Sequence, residues 1–298
     1  SPVGIGDRFS TGWETCATDT GWKPVPHLGL LHERLRQALH IVGYSPFGAK
    51  VAEAIRSSWW TPVNVWAEMV KLSHSVFALP FALMATFLAG RHFPGRGLPA
   101  WGQMGLIVLC MVAARSTAMT FNRLADAAID ARNPRTRNRP LPTGRLTRAA
   151  AWMMLALSAA LFVAACAMFN VAYANPWPVR LALPVLLVLC GYSFAKRITR
   201  WSHVWLGAGI GLAPAAAWLA IHPASLGWEA LLLALTVTCW IGGFDIIYAC
   251  QDIEVDRRDG LHSLPARLGA ARALALTKAM HAAALAALVA LGFVAKLG

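Results

Sequence analysis

Seven apolar runs dominate the chain from residue 73 onward, near 74–92, 101–122, 147–169, 180–195, 203–222, 228–249 and 270–296. A helix needs roughly 20 apolar residues to cross the hydrocarbon core of a bilayer. Most of these runs approach that length, and the 180–195 run is the shortest. Only 14% of the residues are charged and 57% are hydrophobic, whereas a soluble domain carries about 25% charge. The expected fold is therefore all-α, a polytopic transmembrane helix bundle of about seven spans.

The formal charge of +13 would point to nucleic acid in a soluble protein. Here the basic residues crowd the loops between apolar runs, so topology and anion binding account for them and no nucleic-acid partner is expected. Segment 123–148 holds seven Arg, 196–202 three bases and 249–278 five, whereas 91–100, 170–180 and 221–230 hold two, one and none. Basic loops stay on the cytoplasmic side. This places the N-terminus and the three basic loops in the cytoplasm, and seven spans put the C-terminus opposite. Six cysteines form no CxxC pair and have no His at zinc spacing, so they imply neither a disulfide framework nor a metal site.

Residues 1–72 contain no long apolar run and read as an N-terminal extension, with 73–298 as the transmembrane domain. Leu28, Leu31, Leu35, Leu39 and Val42 follow helical spacing. They fit either an amphipathic helix on the membrane surface or a loosely ordered extension. No secretory signal pattern opens the chain.

Two acidic motifs end apolar runs. Segment 122–130, NRLADAAID, carries Asn122, Asp126 and Asp130; segment 252–256, DIEVD, carries Asp252 and Asp256. Residues four apart share one helix face, where like charges repel unless a cation sits between them. Mg²⁺ takes oxygen ligands from one or two carboxylates and shares the rest with water and phosphate. Arg132, Arg135, Arg137 and Arg139 follow the first motif, and guanidinium forks match phosphate oxygens. Pro134, Pro140 and Pro142 stop the helix there. Together the motifs mark a site for a Mg²⁺-bound diphosphate at a membrane surface.

Four further positions stand out. Tyr192 and Lys196 share a helix face, and Lys196 either holds phosphate or only sets topology. Tyr248 lies one turn before Asp252 and serves the site or anchors the membrane interface. Asp245 sits within an apolar run, where an ionisable residue is by default a functional candidate. Arg115, two turns before Asn122, needs an anionic partner: either one of the acids or the carboxylate of an aromatic acid substrate. His74, His203 and His262 read as exposed or capping residues at helix ends.

The segments KLSHSVFALPFAL, AAR…FNRLADAAIDARNPRTRNRPLPTG, GYSFAKRITRWSH and GFDIIYACQDIEVDRRDGLHSLPARLG, between Lys71 and Gly269, resemble the UbiA superfamily of intramembrane aromatic prenyltransferases. The likeness is strongest to its 4-hydroxybenzoate polyprenyltransferase branch. It implies a helical ring around a central cavity, in the inner membrane, capped on the cytoplasmic side by the two motifs. Mg²⁺ would be held by Asn122, Asp126 and Asp130 with Asp252 and Asp256. Arg135, Arg139 and Lys196 would bind the diphosphate of a polyprenyl donor, and Arg115 an aromatic acid. The implied reaction is Mg²⁺-dependent transfer of a polyprenyl group to 4-hydroxybenzoate in quinone biosynthesis. Competing readings are prenylation of a dihydroxynaphthoate for menaquinone, and a lipid transporter or non-catalytic remnant. The family normally has nine transmembrane helices, so two are expected to be missing here after the seventh.

Overall fold

A computed structural model describes residues 60–70, 78–95 and 97–297. The helix expected around 28–42 and the start of the first apolar run, 74–77, with His74, lie outside the described residues. By contacts the chain divides into two units, 1–61 and 62–298, and all the packing described below belongs to the second.

The helices are α1 (Trp60–Val70), α2 (Leu79–Gly90), α3 (Trp101–Arg132), α4 (Arg148–Tyr173), α5 (Trp177–Ile198), α6 (Ser202–Ile221), α7 (Trp228–Ala249), α8 (Ile253–Arg258), α9 (Leu264–Leu268) and α10 (Ala270–Val294). No strand occurs among the described residues. Among the described residues six helices are long and apolar enough to cross a membrane, the α7 span counted through Arg258; α2, at 12 residues, is shorter. The chain is thus an integral, multi-pass membrane protein.

Several helices depart from the expected boundaries. The run 101–122 becomes a 32-residue helix, because the polar residues after it keep helical propensity until Asn133 and Pro134. At 1.5 Å per residue, α3 is about 48 Å long, against a hydrocarbon core of about 30 Å. The 180–195 run grows to 22 residues. It starts earlier because Pro178 sits in the first turn, where a missing N–H is harmless. Asn175 anchors that start: its amide donates to the carbonyls of Leu219 (2.8 Å) and Ala220 (3.0 Å), and its side-chain oxygen accepts from the Trp177 N–H.

Helices α3, α4 and α5 pack together as one group, and α2, α6, α7 and α10 as another; contacts of α5 with α6 and of α2 with α3 join them. Apolar lipid tails give helices no hydrophobic reason to associate, so close backbone packing matters. Gly207 and Gly211 supply it between α6 and α7. A Cβ on Gly207 would fall 2.3 Å from the Thr238 carbonyl, and one on Gly211 2.7 Å from the Ala234 carbonyl. Phe169, Trp218, Leu233 and Leu291 fill the largest buried cluster. Helix α1 packs Met69 and Val70 against Leu146 and Ala151, and the Trp66 indole donates to the Thr120 hydroxyl at 2.8 Å. The last turns before residue 72 therefore pack with the bundle.

Candidate active site

Helix α3 runs unbroken through the first motif, so Asn122, Asp126 and Asp130 stand on one face, as their spacing predicts. The Asn122 amide donates to Asp126 at 3.0 Å. Asp130 is buried and receives both of its bonds from one nitrogen of Arg139, each at 2.8 Å. Arg197, at the end of α5, donates to Asp126 at 2.9 Å and to the Ala125 carbonyl at 2.7 Å. The sequence reading assigned no role to Arg197, which sits next to Lys196. Lys196 itself lies between the motifs: its charge acts on both Asp126 and Asp252.

The second motif differs from its expected form. Helix α7 stops at Ala249, and Cys250–Asp252 form a 3₁₀ turn before α8 begins. A 3₁₀ turn advances about 120° per residue instead of 100°, so Asp252 and Asp256 do not lie on one continuous helix. Both are buried all the same. Tyr248, in the last turn of α7 before that break, is 63% exposed while Asp252 is 6% exposed.

The loop after α3 reaches the second motif. Arg135 grips Asp252 with two nitrogens, its Nε donating at 2.9 Å and its Nη2 to the other oxygen. This bond raises the proton affinity of the Arg135 guanidinium above its ordinary value. The Asn133 amide donates to Asp252 at 3.2 Å, and its carbonyl oxygen accepts from the Arg135 N–H. Asn133 was missed because an Asn between Arg and Pro reads as a helix stop. Below the motifs, the Asp259 carboxyl is held below the usual carboxylate range by its bond from Arg258, with Arg132 at 3.6 Å.

Four buried polar atoms among the described residues have no hydrogen-bond partner: Oδ2 of Asp256, Nε of Arg115, Oδ2 of Asp259 and the Ser202 hydroxyl. Among the described residues no three His, Cys, Asp or Glu side chains converge to enclose a metal ion. Mg²⁺ is seldom caged by protein alone and completes its shell with water and phosphate. An all-oxygen donor set with one carboxylate oxygen left bare fits such an ion.

Tyr192 gathers the interior. It lies within electrostatic range of Arg115, Arg123, Asp126 and Asp245. Beside it, an apolar cavity of about 410 Å³ opens between α3, α4 and α5, lined by Thr117, Phe121, Leu155, Leu187, Cys190 and Phe194. Phe121 directly precedes Asn122, and Phe194 directly follows Ser193, the second acceptor of the Asn122 amide at 3.5 Å.

One residue read as peripheral is central. His203 is fully buried, and its Nδ1 lies 2.6 Å from Asp245. Two ionisable residues alone in apolar runs were the available signal, because each needs a partner at membrane depth.

The model of the UbiA prenyltransferase family matches residues 78–298. The chain belongs to that family. This prenyltransferase is 29% identical over 249 residues to a 4-hydroxybenzoate octaprenyltransferase of Alkalilimnicola ehrlichii, covering 83% of this chain and 80% of that one. It is 31% identical over 159 residues to the mitochondrial 4-hydroxybenzoate polyprenyltransferase of Schizosaccharomyces pombe, covering 52% of this chain and 42% of that one. The apo structure of a UbiA homolog from Aeropyrum pernix K1 superposes with a TM-score of 0.68 at 33% identity, over 76% of this prenyltransferase and 81% of the homolog. A UbiA homolog from Archaeoglobus fulgidus bound to GPP and Mg²⁺ shares the fold, with a TM-score of 0.59 at 20% identity over 77% and 78% of the two chains.

Proposed function

We propose that this prenyltransferase moves a polyprenyl group from polyprenyl diphosphate to 4-hydroxybenzoate, with Mg²⁺, on the cytoplasmic side of the inner membrane, in quinone biosynthesis. The observation that carries the reading is the junction of the two motifs. Asn133 and Arg135, from the loop after the first, hold Asp252 of the second, while Asp256 keeps a buried oxygen without a partner. The relatives' names support the acceptor, and the basic loops support the orientation.

Asn122, Asp126, Asp130, Asp252 and Asp256 would hold the metal, which when bound offsets the negative charge on the diphosphate. Arg135 and Arg139 each carry five N–H donors; each uses some on a carboxylate and keeps others for phosphate oxygens. Together with Lys196 they stabilise the charge that grows on the leaving group. The apolar cavity beside Phe121 and Phe194 takes the tail. Its walls keep water from the allylic carbon as the C–O bond ionises. The bare Nε of Arg115, two turns deeper than Asn122, holds the acceptor's carboxylate, and this orients the ring towards the allylic carbon.

The test is to incubate membranes containing the protein with Mg²⁺, geranyl diphosphate and radiolabelled 4-hydroxybenzoate. A lipid-extractable product that disappears with EDTA and in Asp126→Ala is the expected result. Product formed only from a dihydroxynaphthoate would overturn the acceptor, and full turnover in Asp126→Ala would overturn the site.

A further inference from the structure

Asp245 is set apart from the other acids of the site. Asp126, Asp130 and Asp252 each pair with an arginine; among the described residues Asp245 pairs only with His203. Its side chain is 28% exposed, close to the 25% of Asp126 and above the 8% of Asp130 and Asp252. It lies on α7, seven residues before Asp252, as Arg115 lies on α3, seven residues before Asn122. Each thus stands about two turns before its motif, on the helix that leads into it. On the proposed function, the ring of an acceptor held at its carboxylate by Arg115 is placed at the level of Asp245.

His203 fixes that carboxylate. The Leu264 N–H points at its Nε2 at 3.4 Å, which leaves the ring proton on Nδ1 to be donated to Asp245 at 2.6 Å. One imidazole thus ties the first turn of α6 to α7 and to the first turn of α9. Close packing holds it there: a Cβ on Gly242 would lie 3.1 Å from the His203 carbonyl. The same segment is bonded to the site, since the His262 N–H donates to the Lys196 carbonyl at 2.7 Å.

Building on the proposed function, we infer that Asp245 is the catalytic base of the transfer and His203 its positioning residue. As the new C–C bond forms at the ring carbon ortho to the hydroxyl, diphosphate leaves with the electron pair of the broken C–O bond. The ring C–H then breaks, its electron pair restores aromaticity, and the proton passes to the open oxygen of Asp245. His203 donates to the other oxygen and keeps the acceptor-facing one in place.

The test uses 4-hydroxybenzoate deuterated at the two positions ortho to its hydroxyl, in wild type, His203→Ala, His203→Asn and Asp245→Asn. General-base catalysis contributes about 10²–10⁴-fold, so kcat should fall about 100-fold or more in Asp245→Asn and His203→Ala. The KM for the prenyl donor should hold, and a primary isotope effect should appear as proton removal becomes limiting. His203→Asn keeps an N–H donor near the Nδ1 position and should recover most of the rate. A wild-type protein inactive on 4-hydroxybenzoate would refute the proposed function. An active wild type with these variants unimpaired, or slowed without any isotope effect, would overturn the roles of Asp245 and His203 alone. If His203→Ala does not fold, the isotope effect in Asp245→Asn decides.

Discussion

The first acidic motif is held within its own group of helices and the second is held on loan. Asp126 and Asp130 stand on one unbroken helix, and Arg139 comes from the loop that helix runs into. Asp252 sits on a 3₁₀ turn, and its bonds come from Asn133 and Arg135, which belong to the first motif's loop. The difference teaches that the site has a direction of dependence. The first motif and its loop form a template, and the second motif, from the other group of helices, docks onto it.

The largest test of that comparison is charge removal on each side. Asp126→Ala and Asp252→Ala should each lower product formation about 10³-fold, the upper range for losing a group that stabilises transition-state charge. Retained activity in Asp252→Ala alone would make the second motif dispensable. Arg135→Ala should come next. Stripping one partner from a buried pair costs about 3–5 kcal/mol. Arg135 is half exposed, so the loss should be smaller, about 2 kcal/mol after discounting for solvent, seen as a lower melting temperature in detergent. Adding Asp252→Asn to that variant should restore much of this stability, because it removes the stranded charge. If it restores none, the docking contact is not what Arg135 supplies.

Arg197→Ala tests the template side. Its bond to Asp126 is partly solvent-exposed, so about 1 kcal/mol or less should be lost. A weaker apparent affinity for Mg²⁺, read from the metal dependence of turnover, would accompany it. The smallest effect belongs to Tyr248→Phe, an exposed position where about 0.5 kcal/mol bounds the change. Tyr192→Phe, beside four charged side chains, should be the more damaging of the two; the reverse order would return Tyr248 to the site.

The spans were legible because a run of apolar residues states its own environment without reference to any partner. Their ends were less so. Helix α3 continues past Asn122 because Arg, Leu, Ala and Asp stay helical once the apolar run has ended, and the stop is set at Pro134. The shared face of Asn122, Asp126 and Asp130 was legible from spacing, but the partners of the carboxylates were not. Asn133 reaches Asp252 across 119 residues of sequence, and no local pattern encodes that pairing. The burial of His203 likewise depends on how closely α6 and α7 approach.

The 32 residues of α3 make it a depth gauge. A rod about 48 Å long in a core of about 30 Å carries its far turns up to the level of the lipid headgroups. On the proposed function, a diphosphate received there would stay near water throughout, and only its hydrocarbon tail would enter the oil-like layer. The reaction thus takes its geometry from the substrate's own amphiphilic character: the charged end is held at the height where it would float unaided, and the helix length decides how far below that line the new bond is made.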